Sequence, residues 1–358
     1  MNLILATKPN LAMKLIRNFS ILGLLLLVLS SCSQQNPDFG DFDYTAVYFP
    51  HQYPIRTLSL GEGYIDNSLD RELKFNIGVG IGGLRENTQS WQVAYQLAPE
   101  LLSNVRQVGG DTLMPMPREY YTLSNSGEFS IPSGSFSGLV EVQMTESFLQ
   151  DPMAWGEGGL YVIPMVITGT NADSILEGAA IVENPDRRVA EDWEPDGIPR
   201  DFTMFAVKYI NEFHGAYLHR GIDIGYDDQN NPVDTAIYSE QYVVEDQVWN
   251  LTTMGRNVVH TNGMSTSVTD GGDIYSMALT IDGNQVKVDS IEGAIFKLMS
   301  GSGSFQVDGD AWGGEARDAM YLQYTYMDPD TIRHEVRDTL VFRNRGLRFE
   351  LFEYEVLD

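Results

Sequence analysis

The chain has 358 residues, 50 of them Asp or Glu against 23 Lys or Arg, for a formal net charge of −27. That balance excludes a protein that tracks nucleic-acid phosphates, which needs a basic footprint. The single cysteine excludes an internal disulfide framework and thiolate zinc sites, so the folded part must stand on its hydrophobic cores.

Residues 1–31 read as a signal peptide whose working start is Met13. Lys14 and Arg17 precede an apolar run from Phe19 through Leu29, too short to span a bilayer comfortably. Leu29-Ser30-Ser31-Cys32 follows at once and resembles a lipoprotein signal-peptidase site, with Cys32 as the acylated first residue of the mature chain. Ser33 to Pro37 completes a polar tether over residues 32–37. A diacylglycerol on the thiol and a further acyl chain on the amine make a stable membrane anchor. Removing the leader takes three Lys or Arg and no Asp or Glu, leaving 327 residues with a charge of about −30.

The mature chain is long enough for two domains of ordinary size. Residues 185–200 contain Pro185, Pro195 and Pro199 and little apolar periodicity, which predicts a linker between a domain over 38–184 and one over 201–358. Both read as all-β. Runs of five to nine residues rich in Val, Ile, Thr, Tyr and Phe are separated by Gly, Asn, Asp, Ser and Pro. One short helical turn is expected near Pro99 to Val105.

In the first domain, strands are predicted at 46–49, 73–79, 91–97, 128–131, 138–144, 160–167 and 175–182, which suggests an immunoglobulin-like sandwich without its disulfide. Pro164 cannot donate to a ladder, so its strand is expected at an edge or at a bulge. In the second, Tyr275, Met277, Leu279 and Ile281 alternate with polar or small residues before Asp282-Gly283-Asn284 turns the chain into Val286 and Val288. Strands at 294–299, 304–307, 320–326, 337–342 and 347–354 continue a meander. Closing it removes exposed edges, so an up-and-down, lipocalin-like barrel of about eight strands is predicted, with a jelly roll as the alternative.

Little in the chain nominates catalysis. The five histidines, His51, His214, His219, His260 and His334, show no metal spacing. No carboxylate pair stands out as a glycosidase couple, and no nucleophile elbow or phosphate-cradling loop is present. Gly301-Ser302-Gly303-Ser304 reads as a tight turn. The acidic stretches 223–234 and 308–318 are the calcium candidates, but neither matches the EF-hand pattern, and the first, which contains Pro232, reads as a solvated hairpin loop. Neither cofactor nor metal is expected. Sugar recognition uses aromatic faces framed by hydrogen-bonding groups. Trp312, in a Gly-rich loop, and Trp193, between the linker prolines, are therefore the candidate platforms, whereas Trp91 and Trp249 lie in strand-like runs that suit a core.

The stretch Tyr44-Thr45-Ala46-Val47-Tyr48-Phe49-Pro50-His51 through Leu58, with Ile131-Pro132-Ser133-Gly134, Phe148-Leu149-Gln150-Asp151-Pro152 and Tyr161-Val162-Ile163-Pro164, resembles a Bacteroidetes lipoprotein family of Ig-like domains of unknown function. Phe202 to Phe205 and Lys208 to Gly221 resemble the C-terminal β-barrel or lectin-like domain found behind it. The resemblance implies a non-catalytic lipoprotein of the outer membrane, displayed at the cell surface and associated with starch-utilisation-like uptake. Its implied partners are a polysaccharide or oligosaccharide and components of an outer-membrane transporter. A structural or adhesive envelope protein, and a carrier of small hydrophobic ligands in a hollow barrel, are the other classes the sequence leaves open.

Overall fold

The computed structural model describes residues 44–62, 66–268 and 274–357. The predicted signal peptide, Cys32 and the tether lie outside these residues. Among those described, no helix is long and apolar enough to cross a membrane.

The fold is almost entirely β and forms two lobes, a sandwich and a closed barrel, as the strand patterning predicts. One sheet of the sandwich runs Ser174–Ile175, Ala46–Tyr48, Lys74–Gly82, Ser137–Met144, Tyr121–Leu123. The facing sheet has nine strands, with Pro54–Ser59, Phe202–Ile210 and Gly159–Thr170 side by side at its middle. Between them lies a core that includes Val47, Phe75, Ile77, Val93, Phe129, Val140, Ile163, Met165 and Tyr209.

The Gly159–Thr170 strand is buried on both faces, which explains its unbroken apolar run. Tyr161, Ile163, Met165 and Ile167 enter the sandwich core, while Leu160, Val162 and Val166 join a second cluster behind the sheet with Leu102, Phe202, Met204 and Phe352. Pro164 therefore sits in a central strand, not at the expected edge. It pairs with Met204 on one side, and Met204 sends its N–H the other way, to the Gln52 carbonyl. The proline nitrogen thus faces the opposite side. There the neighbour changes, from Thr112–Pro115 alongside residues 159–162 to Trp91–Leu97 alongside residues 165–170. The missing donor falls at that joint, where only the Pro164 carbonyl is used, accepting from Ala98 N–H at 3.0 Å.

The barrel closes in the order Gly215–Tyr226, Gln247–Thr253, Val258–Thr261, Met277–Asp282, Gln285–Ser290, Lys297–Trp312, Glu315–Met327, Arg333–Asn344 and back to Gly215–Tyr226, all antiparallel. The predicted hairpin forms in the predicted phase: Met277, Leu279, Ile281, Val286 and Val288 point inward. With Trp249, Leu322, Tyr324, Leu340 and Phe342 they fill the barrel. The hollow lumen required by a hydrophobic-ligand carrier is occupied by side chains. Gly301 and Gly303 lie within a long strand rather than in the expected turn. A Cβ on Gly301 would come within 2.6 Å of the Val288 side chain, and one on Gly303 within 2.4 Å of the Tyr321 carbonyl, so this stretch is glycine-rich because neighbouring strands press on it.

The proposed division at 185–200 does not separate the lobes. Phe202–Ile210, placed by the sequence in the second domain, pairs with Pro54–Ser59 and Gly159–Thr170 and belongs to the sandwich. The predicted strand 347–354 also leaves the barrel. Glu350–Leu351 pairs with Pro54 and Ile55, and Tyr354–Val356 with Val105–Gln107. The barrel is thus an insertion, entered after Ile210 and left at Arg345, with the chain's end returning to the sandwich.

His214 sits at the entry to the barrel, and its Nδ1 accepts from Thr253 N–H at 3.1 Å. Burial, with Arg345 and Lys208 adding like charge, lowers its pKa to about 4. In the unfolded chain it would titrate near 6.5, so below that pH the unfolded state binds more protons. Stability should therefore fall as pH drops from about 6.5 to about 4, by roughly 2 kcal/mol after allowance for partial exposure. Urea unfolding at several pH values should show this acid limb, and His214→Gln should flatten it.

Candidate functional site

Among the described residues, two gatherings of polar and titratable side chains bear most on function. The first lies inside the barrel, where Tyr217, His219 and Asp223 project inward from one strand. Asp338 accepts from Tyr324 O–H at 2.7 Å and from Tyr238 O–H, and its Oδ1 lies 3.1 Å from His219 Nε2. Asp223 accepts from Ser265 O–H at 2.6 Å and Tyr326 O–H at 3.0 Å and contacts His334 Nδ1 at 2.7 Å. Burial opposes ionisation of Asp223, yet His334 and Ser265 hold its carboxyl below the usual range; burial likewise opposes protonation of His334, and Asp223 raises it. His219 stacks on Trp249 at 3.8 Å and is 1% exposed. The two carboxylates are satisfied by the phenols, Ser265 and His334 inside a packed lumen, which gives them a structural role, while His219 Nε2 and the Trp249 indole N–H stay without a hydrogen-bond partner.

The second is a cleft of about 630 Å³ at the open side of the sandwich. The chain makes it by leaving two sheet edges unpaired. The Ala46–Tyr48 strand covers only Gly80, Ile81 and Gly82 of its neighbour, so residues 74–79 keep a free edge. In the facing sheet, Glu350–Leu351 covers only Pro54 and Ile55, so Arg56 and Thr57 border the opening. Phe49, Pro50 and His51 cross from one sheet to the other along its wall, and Leu347 to Phe349 pass over it on the way back from the barrel.

Its aromatic groups are Phe205, which stacks on Phe75 at 5.5 Å, and Phe349, whose ring lies 5.0 Å from His51 and which is 65% exposed. Its polar groups are Arg56, Thr57, Asp66, Asn67, Asp70, Asn76 and Thr203. Asn67 Nδ2 donates to the Ser59 and Gly61 carbonyls, and Asp70 accepts from Ser59 N–H at 3.0 Å and pairs with Arg56. Burial raises the Asp70 pKa, while hydrogen bonds from Ser68 lower that of Asp66. Separation of this kind can mark an acid and a base, but both Asp70 oxygens are already held by Arg56 and Ser59. The arrangement suits fixed hydrogen bonding more than proton transfer.

The two candidate tryptophans are outside this cleft. Trp193 is 9% exposed, with its Nε1 donating to the Asp186 carbonyl at 2.9 Å and its ring against Gly178. Such burial leaves no face for a sugar: the linker that contains it folds onto the protein, with Ala180 bridging Trp193. Trp312 is half-buried beside the Gly313-Gly314 turn at a hairpin tip. Its Nε1 donates to the Phe342 carbonyl at 2.9 Å, and Arg317 lies 4.6 Å from its ring, covering one face. Of the cleft residues, His51 and Phe205 lie in stretches quoted for the family resemblance, where no motif nominates a site; only the missing edges make them one. Among the described residues no group of three His, Cys, Asp or Glu is placed to hold a metal ion. The 223–234 stretch includes a local turn in which Asp227 accepts from Gln229 and Asn231 N–H.

A sandwich carrying an inserted eight-stranded barrel, with a cleft at the sandwich's open side, defines a class of two-lobed all-β proteins. Residues 42–174 match a family described as an N-terminal domain, and residues 212–346 match a domain of unknown function, DUF5627. The latter limits agree with the inserted barrel. A solved Bacteroides ovatus protein of unknown function is 36% identical, covers 88% of this chain and 100% of its own, and superposes with a TM-score of 0.78. The chain belongs to the family of that protein. A second B. ovatus protein of unknown function and a B. ovatus multidomain protein including DUF1735 are 12% and 11% identical; they cover 87% and 85% of this chain and 99% and 97% of their own, each with a TM-score of 0.41, too low to carry an argument. No curated protein matches.

Proposed function

We propose that this protein is a non-catalytic glycan-binding lipoprotein of the outer membrane, anchored through Cys32, that holds an oligosaccharide segment in the sandwich cleft for an uptake system. The observation that carries the reading is the mixture of groups in one concavity. Phe205, Phe349 and His51 offer faces for the apolar side of a sugar ring, and Arg56, Thr57, Asp66, Asn67 and Asn76 surround them with donors and acceptors for hydroxyls. The volume lies within the roughly 300–1,000 Å³ of small-ligand sites and accommodates a short oligosaccharide. Capture needs no turnover: an anchored protein raises ligand concentration at the membrane, and weak sites suffice for a repeating polymer.

Affinity electrophoresis of residues 34–358 against a polysaccharide panel tests this. Retardation by at least one polymer is expected. Phe349→Ala, which removes an exposed ring, should weaken it about tenfold, whereas Trp312→Ala should leave it unchanged. Failure of every polymer to retard the protein would overturn the reading, and loss in Trp312→Ala alone would move the site to the barrel.

A further inference from the structure

Beside the sandwich cleft lies a smaller cavity of about 190 Å³, and the two share Thr57, Leu347 and Arg348, so they adjoin where the chain crosses back from the barrel. Parallel pairing sets Lys208 next to Thr57, and the barrel's entry and exit contribute His214 and Arg345. The cavity is rich in hydrogen-bond donors and poor in free acceptors. In its wall Lys208, Arg345 and Arg348 stand against one acid, Glu350, whose carboxylate is shared, 2.7 Å from Lys208 Nζ and 3.3 Å from Arg348 Nε. Arg345 is held by carbonyls, which take up its donors without cancelling its charge. Glu62, Glu212 and Asp318 act on it from outside the wall. His214 Nδ1 accepts from Thr253 N–H, so the neutral ring carries its proton on Nε2, which makes that atom a donor. Trp155, also in the wall, has its indole N–H buried and without a hydrogen-bond partner. An unmatched buried donor costs free energy that a ligand oxygen would recover.

We infer that this cavity receives the carboxylate or sulfate of an acidic sugar whose neighbouring units lie in the main cleft, so that the ligand is an acidic oligosaccharide. The inference rests on the glycan-binding reading of that cleft and names its substrate class. A chain with a net charge of −27 repels anions as a whole, so a positive, donor-lined hollow selects for them locally. The hollow is smaller than the roughly 300–1,000 Å³ of a whole small-ligand site, which suits one unit of a longer ligand. Arg348 lines both cavities, and its guanidinium, on a side chain 80% exposed, offers a planar fork for a carboxylate or sulfate. Lys208 supplies a compact charge deeper in, its side chain 25% exposed.

Affinity electrophoresis of residues 34–358 tests the inference with polymers matched in backbone and different in charge: dextran with dextran sulfate, and methyl-esterified pectin with polygalacturonate, beside the neutral polymers of the panel. Stronger retardation by an acidic member than by its neutral partner is expected. Retardation by dextran sulfate alone assigns the group to sulfate, and by polygalacturonate alone to a uronate. Arg348→Gln and Lys208→Gln should each weaken the acidic interaction at least tenfold, and Arg348, being largely exposed, can be replaced without loss of the parent's circular dichroism. Binding to neutral polymers alone would overturn the acidic class and leave the cleft reading standing. An acidic preference unchanged in both variants would overturn the assignment to this cavity, and no retardation by any polymer would overturn both readings.

Discussion

Arg345→Ala is expected to lower the free energy of unfolding by about 3 kcal/mol. Arg345 is 8% exposed and occupies the crossing where the chain leaves the barrel for the sandwich. Its guanidinium donates to the carbonyls of Glu62 at 2.9 Å, His214 at 2.8 Å and Glu212, and it lies 4.7 Å from the Phe342 ring. Three carbonyls from two distant stretches of chain are satisfied by one planar cation. Removal leaves them with poorer partners and opens a gap beside Gly61, where even a Cβ would come within 2.2 Å of the guanidinium. Lysine cannot reproduce the fork, so Arg345→Lys should recover less than half of the loss. Because Glu62 belongs to the sandwich and Glu212 and His214 to the barrel entry, the alanine variant should also unfold over a broader denaturant range. Guanidinium titration followed by circular dichroism checks both effects.

Asp338→Ala should cost about 3–5 kcal/mol, a value typical of breaking a buried, hydrogen-bonded charge cluster from one side. Asp338 is 2% exposed and gathers His219, Tyr238 and Tyr324 around one carboxylate. Their phenols have pKa values pushed up by burial first and by the carboxylate second, so they remain donors throughout the ordinary pH range. Alanine strands two phenol donors in a filled lumen and removes the carboxylate beside His219. Tyr324→Phe removes one of them, and the double variant should lose less than the sum of the singles, since the pair shares one bond. Fluorescence of Trp249, stacked on His219, reports the transition directly.

Strand identity and inward phase were legible wherever a strand is buried on one face, as at Met277 to Ile281. Period two is a local property of the chain, and burial of alternate residues writes it into the sequence. Short pieces were not legible: Val105–Gln107 and Thr112–Pro115 are three and four residues long and too brief to show a period. The linker reading failed for a related reason. Prolines and charges around Trp193 mark irregular backbone equally well whether it spans two domains or folds onto one.

The sequence by itself determined the all-β class, the barrel's inward face and the absence of a disulfide framework, because composition and alternation are set residue by residue. Tertiary structure alone decided that Phe202–Ile210 and the chain's last strands belong to the sandwich, and that two sheet edges stay open beside His51 and Phe349. Pairing partners up to 300 positions apart follow from the summed packing of whole sheets. No local pattern records that sum.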